Sequence, residues 1–577
     1  MRFPSLTFLV AQALAVLRRF PWTLAAGVTA AITSIGASTV GADDAWLRIT
    51  FVAMLGLPVT TALALLGETR GWSGGRRALV QLGGIAGLVA FYYVWPGIDV
   101  HHEAIRYLQL STALHLSVAF LPLLGAPESI AFWQYNRRLF LGFLRAAVFS
   151  VVLFAGIAVA LGALDRLFGV RVVSEVYFRI ALIVAFVVNT WIFLAAVPRD
   201  LHALEGDAEY PRGLKVFAQY ILTPLAFTYL IILLAYLIKI VLGGEWPNGW
   251  IGWLVGSVSV TGLLGFLLVH PLRSNPEEGW IRTYARWLFI GLMPAALMLL
   301  AAFWKRIVPY GLTEPRTLGL VLGIWLLGIA LLFTVRHAAS IRIIPISLAI
   351  VLLLTGYGPL SVTRLSISSQ GRRLASMLET RNDSGPNARE ASAALRFLID
   401  RRADDEIAAR IERGLPPIDW KSVRYGGARD SLAQRILDLR SVAYVPEYGP
   451  WDGRGWIQME AKNPVPIAGF DWAIPVTVGD TVTRAAGADS VQLLSSVASN
   501  LVQFRAGRDV LQFDLRSLTM PGSGPVIPAD WRPGDQLRLK ETTGARRAVL
   551  ALNQFQATRY RDSVVVSYWT GWVLLGR

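Results

Sequence analysis

The chain has 577 residues, 54% of them hydrophobic and 16% charged, with a formal net charge of +16 and no cysteine. That length exceeds one ordinary domain and the apolar share exceeds that of a soluble globular protein. The missing cysteines exclude disulfides, thiolate nucleophiles and Cys-ligated metals, and no Lys/Arg cluster is interleaved with aromatics as a nucleic-acid surface requires.

Most of the apolar excess lies before Tyr357, in runs long enough to cross a hydrocarbon core of ~30 Å as helices. Arg2, Arg18 and Arg19 precede the first run, which is longer than a signal-peptide core, so it reads as a retained span with residues 3–17 in or near the interface. Eleven spans are predicted, at 21–42, 46–68, 78–96, 105–124, 139–164, 175–197, 217–239, 250–270, 288–303, 317–335 and 343–358. Alternate connections hold 16 Lys/Arg on one side, counting the N-terminus, against six on the other. The positive-inside rule therefore puts the N-terminus in the cytoplasm, and eleven spans put the C-terminus outside. Trp22, Trp133, Trp280 and Trp287 fall at predicted inner ends, and Trp46, Trp95, Trp246, Trp250 and Trp304 at outer ends, where indole rings prefer to sit.

After Gln370 the period changes. Residues 371–381, 388–413 and 430–439 read as helices, the second with Leu395, Leu398, Ile399, Ile407 and Ile411 at helical spacing. Beyond Tyr444 the pattern is β, with strands expected over 510–515, 536–541, 548–555 and 563–575. The expected fold is thus an α-helical polytopic membrane protein of about eleven transmembrane helices (1–360), followed by an extracytoplasmic α+β domain (361–577) with helices in 371–440 and a β-rich part in 445–577.

Several motifs occur in order: Phe132-Trp133-Gln134-Tyr135-Asn136-Arg137-Arg138-Leu139-Phe140, Tyr210-Pro211-Arg212-Gly213-Leu214-Lys215, Pro247-Asn248-Gly249-Trp250, Tyr310-Gly311-Leu312-Thr313-Glu314 with Arg316, and Gly358-Pro359-Leu360-Ser361 with Ser366, Ser369 and Gln370. They resemble an uncharacterised family of bacterial multi-pass membrane proteins grouped only as a domain of unknown function. The resemblance covers about 130–375 firmly and the first 130 residues loosely. It implies location and architecture, and no catalytic residue.

The six histidines all lie at or before His337, so the region after it holds neither a Ser-His-Asp triad nor a histidine-ligated zinc site. It has no Gly-rich phosphate loop in the required context, and no catalytic residue, cofactor or metal is expected. Inside the membrane, Ser111, Thr112 and His115 share a helical face in span four, Asn189 lies in span six and Gln219 in span seven. Such groups must face protein or water, so they are a candidate polar intramembrane pocket, against the plainer reading of interhelical hydrogen bonds. A second candidate lies at the predicted outer face: Asn248 and Trp250 before span eight, and Lys305, Arg306, Tyr310, Glu314 and Arg316 around the connection to span ten. It would be a docking floor, a lipid-headgroup site or an envelope-ligand site, against a packed set of turns.

The favoured reading is a non-enzymatic envelope sensor, binding or scaffold protein acting through its external domain. The alternative is a transporter or lipid-handling protein that uses the polar pocket. Expected partners are membrane lipids, with envelope proteins or lipid-linked ligands.

Overall fold

A computed structural model describes residues 6–39, 44–97, 101–125, 130–201, 203–204, 210–243, 251–275, 278–336, 339–358, 360–379, 386–411, 418, 426–445, 455–460, 470–477, 483–486, 489–496, 501–506, 509–515, 537–543, 546–560 and 563–576. The chain forms two compact units, Met1–Tyr444 and Val445–Arg577.

The first unit is helical: α1 (Leu6–Arg19), α2 (Pro21–Thr39), α3 (Asp44–Thr69), α4 (Gly74–Val94), α5 (His101–Phe120), α6 (Ile130–Phe168), α7 (Ser174–Ile183), α8 (Asn189–Ala195), α9 (Arg212–Val216), α10 (Thr223–Gly243), α11 (Ile251–Val269), α12 (Gly279–Tyr310), α13 (Glu314–Val335), α14 (Ile343–Gly356), α15 (Val362–Glu379), α16 (Pro386–Asp400), α17 (Asp404–Ile411) and α18 (Gly426–Asp438). π-helical turns at Val184–Val188 and Phe217–Leu222 join α7 to α8 and α9 to α10 into continuous helices.

Every predicted apolar segment falls on one of these helices. Among the described residues, eight helices are long and apolar enough to cross a membrane: α3, α4, α6, α7–α8, α9–α10, α11, α12 and α13. They become nine if α1 and α2, bent by 97° at Phe20, count as one span. α14, with 14 residues, reaches only about 21 Å at 1.5 Å per residue, and α5 opens on His101, His102 and Glu103 and carries Arg106 in its second turn.

Polar groups knit the bundle from within. The α2–α3 hairpin is joined by hydroxyl pairs, Thr23 to Thr60 at 2.8 Å and Thr33 to Thr50 at 2.8 Å. Gln81 Nε2 donates to the Thr60 carbonyl at 2.9 Å. At the α1–α2 bend the Arg19 guanidinium meets Glu68 at 2.7 Å and donates to the Val197 and Pro198 carbonyls at 2.9 and 2.6 Å. Each such link satisfies a group that hydrocarbon cannot.

The helices after α14 do not form a domain of their own with the strands, as the sequence suggests. α15–α18 belong to the first unit, where Leu374, Leu395, Leu398, Ile399, Ile407, Ile436 and Leu437 make their own apolar core and α15 packs on α13 and α14. The unit boundary therefore lies after Tyr444, and 360/361 falls in the short connection between α14 and α15. The single helix expected over 388–413 is two, because α16 ends in a Schellman turn: Ala403 N–H donates to the Leu398 carbonyl at 3.1 Å and Arg402 N–H to the Ile399 carbonyl at 3.0 Å, with Arg402 at φ 50°.

The second unit is antiparallel β. Its strands are β1 (Gly455–Glu460), β2 (Trp472–Thr477), β3 (Thr483–Ala486), β4 (Asp489–Ser496), β5 (Leu501–Ala506), β6 (Asp509–Asp514), β7 (Leu537–Thr543), β8 (Arg546–Tyr560) and β9 (Ser563–Gly576). One sheet runs β1-β8-β9-β2, with β7 on the same edge of β8 as β1; the other is the meander β3-β4-β5-β6. Five consecutive residues, Ala548–Leu552, are buried, so both faces of β8 are covered there. The four strands predicted after Val510 are β6–β9, while β1–β5 carry too little alternation to be read.

Candidate functional site

The family-like motifs form two clusters, one at each end of α11–α13. At one end, Trp133 Nε1 donates to the Leu267 carbonyl at 2.7 Å and Tyr210 Oη to the Leu268 carbonyl at 3.0 Å. The two rings stack 5.3 Å apart. They donate to carbonyls in the last turn of α11, where helix ends run short of backbone donors. Tyr135 Oη donates to the Val118 carbonyl at 2.7 Å and Asn136 Nδ2 to the Ala119 carbonyl at 3.1 Å, fixing the start of α6 against α5. This cluster is structural.

The other cluster is the turn between α12 and α13. Gly311, at φ 69°, ends α12, and a Cβ there would lie 2.9 Å from Gln370 Nε2. Gln370 from α15, only 3% exposed, donates through Nε2 to the Tyr310 and Leu312 carbonyls at 2.9 and 2.8 Å. The Leu312 N–H donates to Ser369 Oγ at 3.0 Å. Glu314, the first residue of α13, is fully buried and receives both Arg401 Nε (2.5 Å to Oε1) and Nη2 (2.7 Å to Oε2). Arg401 is placed there by the Schellman turn that ends α16, and its guanidinium lies over the Phe397 ring.

With its carboxylate committed to Arg401, the turn is left strongly basic on its other side. Arg316 donates to the Gly311 carbonyl at 3.1 Å. Arg373 donates to the Tyr310 carbonyl at 3.2 Å and pairs with Glu390 at 2.8 Å. The Arg306 and Arg373 charges both bear on Arg316. Beside them a cavity of about 470 Å³ opens between α11, α12 and α13, lined by Trp253, Gly256, Phe303, Leu318 and Gly319 with Arg306 at its charged end.

Of the residues predicted for this face, Lys305, Arg306, Tyr310, Glu314 and Arg316 are thus gathered around one turn. Asn248 and Trp250 lie outside the described residues. Arg373 and Arg401 carried no sequence signal: Arg401 stands 87 positions from Glu314, and nothing in spacing links them. The polar-pocket candidates occupy three separate contacts. His115 Nδ1 lies 2.8 Å from the Ser111 carbonyl of its own helix, and both His115 and Thr112 are exposed on α5. Asn189 accepts from Ser150 Oγ at 3.4 Å. Gln219 Nε2 donates to Glu278 at 3.0 Å, where Lys215 also pairs at 2.5 Å. Among the described residues, no group of three His, Asp or Glu side chains is placed to hold a metal ion.

Apolar helices of spanning length, polar groups tied off inside and basic turns at their ends define a multi-pass membrane protein. A family model, Domain of unknown function (DUF4153), matches residues 25–381, and the chain belongs to that family. The match runs through α15 and stops before Arg401 and the second unit. No curated protein and no solved structure matches the chain.

Proposed function

We propose that the chain is a non-enzymatic binding and scaffold protein of the bacterial inner membrane, acting at the outer face, with its N-terminus in the cytoplasm. Counting α5 and α14 as spans with the eight long helices and α2 gives eleven, which together with the basic inner connections puts the α12–α13 turn and the C-terminal β unit outside.

The buried Glu314–Arg401 pair carries this reading. A buried ion pair adds little net stability once desolvation is counted, but it fixes geometry. It fastens α15–α18 as a stiff layer on the ends of two apolar helices, with Gln370 closing the turn beneath. That suits a platform that holds a partner or registers its arrival at the envelope face. The transporter alternative would place Ser111, Thr112, His115, Asn189 and Gln219 around one path, whereas Ser111 with His115, Asn189 and Gln219 lie in three separate contacts and Thr112 is exposed.

An alkaline-phosphatase fusion after Arg577 tests the placement. The expected outcome is active phosphatase there, with a cytoplasm-only reporter silent at the same position; the reverse would overturn it. Turnover of an envelope substrate by the purified chain, lost on mutating carboxylates of the β unit, would remove the non-enzymatic part.

A further inference from the structure

We propose that the cavity between α11, α12 and α13 is a binding site for a single anionic lipid, its phosphate held by Arg306 in the positive field it shares with Arg316, and the upper part of one acyl chain laid along the groove. The inference rests on α11–α13 crossing the bilayer, and it does not depend on which face they present or on the scaffold reading.

The first argument is shape. From Arg306 the groove follows α12 inward to Leu299, seven residues, or about 10 Å of helix. Its walls over that depth are apolar: Ile251, Trp253, Leu299, Phe303, Leu318 and Leu322. About 470 Å³ falls within the size of ordinary small-molecule sites. Small residues open it: a Cβ added at Gly256 meets nothing within 4 Å.

The second argument is level. Trp253 on the groove wall is 80% exposed and Trp304, beside Lys305, is 63% exposed. Indole rings on a lipid-facing surface mark the headgroup zone, so the charged end of the groove lies where a phosphate would be and its inner end lies among acyl chains.

The third argument is charge. Arg306 makes no hydrogen bond or ion pair among the described residues, is half-buried and stands at the groove's interfacial end. Its neighbour Arg316 has the same sign, and Arg316 feels both Arg306 and Arg373. Glu314, the acidic group of this turn, is sealed away against Arg401. Like charges are thus held together at the mouth of an apolar slot, and an anion there relieves their repulsion. A guanidinium binds phosphate through paired N–H donors, and a zwitterionic lipid would bring a further cation into the same field.

Native mass spectrometry of the full chain in detergent, titrated with dioleoyl phosphatidylglycerol or dioleoyl phosphatidylcholine, tests this. The wild type is expected to bind one phosphatidylglycerol about tenfold tighter than phosphatidylcholine, as one charge-assisted contact implies. Arg306→Gln should abolish that preference and Arg306→Lys should keep most of it. Gly256→Leu, which fills the slot without touching the charges, should weaken phosphatidylglycerol binding several-fold. Inorganic phosphate at millimolar concentration should not displace the lipid. The proposal is overturned if the wild type shows no preference, if Arg306→Gln keeps it, if Gly256→Leu binds as the wild type does, or if inorganic phosphate competes. Should Arg306→Gln fail to fold, Gly256→Leu and Arg306→Lys still decide the matter. The phosphatase fusion reads orientation alone, so either result can fail without the other.

Discussion

Glu314 and Arg401 form a two-point ion pair, 2.5 and 2.7 Å long, in which the carboxylate is wholly buried and the guanidinium side chain only 7% exposed. One charge belongs to an apolar helix, the other to the amphipathic layer behind it. Removing either leaves its partner charged and unsolvated, so Glu314→Gln and Arg401→Met should each destabilise the detergent-solubilised protein by about 3–5 kcal/mol. The double variant should lose clearly less than the sum of the two. Thermal unfolding of all four proteins completes the cycle, and strict additivity would mean that the two groups do not act as a pair.

The α12–α13 turn depends on Gln370. Gln370→Ala removes the side-chain donor to the Leu312 carbonyl and one of the donors to the Tyr310 carbonyl, which Arg373 still reaches, and should cost about 1–2 kcal/mol. Gly311→Ala should also destabilise, because φ 69° disfavours a Cβ and that Cβ would meet Gln370 Nε2 at 2.9 Å. If Gly311→Ala melts with the wild type, the turn is not as tight as its geometry requires.

Glu278 supplies a pH dependence. Its hydrogen bond with Lys215, then those from Trp280 and Gln219, outweigh burial and hold its carboxyl below the usual value of 4.5. A lowered folded-state pKa means that the stabilisation is present above the unfolded value and disappears as the pH falls through the folded one. The melting-temperature gap between wild type and Glu278→Gln should therefore be constant near neutrality and shrink below about pH 4.5. A gap that stays level down to acid pH would remove the electrostatic account.

Arg402 is exposed and sits in the left-handed region, at the position where helix ends favour glycine. Arg402→Gly should raise stability by up to about 1 kcal/mol. Calorimetry against the wild type reads the sign directly.

His115 separates the scaffold reading from the transporter alternative. It is exposed and, among the described residues, bonded within α5, so His115→Ala should shift stability by less than about 0.5 kcal/mol. In vesicles, loss of a solute flux in that variant at unchanged expression would restore the transporter alternative.

Much of the architecture is readable from local pattern. Runs of apolar residues locate helices α2–α14 because a spanning helix needs about 20 apolar residues in a row, and that requirement involves no distant partner. The motif at Tyr310–Arg316 also stands out, since Pro, Gly and a short polar run between apolar helices can only be a turn. The break before α15 follows from Gly358-Pro359 in the same way. Less is readable in the β unit, where β1–β5 are short and the pairing of β1 with β8 joins residues about a hundred positions apart.

By itself, then, the sequence determined where the helices run, where they turn, and that basic residues gather at the turn after α12. It did so because helix length, helix breaking and charge are properties of neighbours along the chain. Only the tertiary structure decided what those charges do. It buried Glu314 against Arg401, joined α15–α18 to the apolar bundle rather than to the strands, and left Arg306 at the mouth of an apolar slot. Those outcomes depend on which side chains meet after packing, and a burial or an ion pair between positions 87 apart leaves no trace in local periodicity.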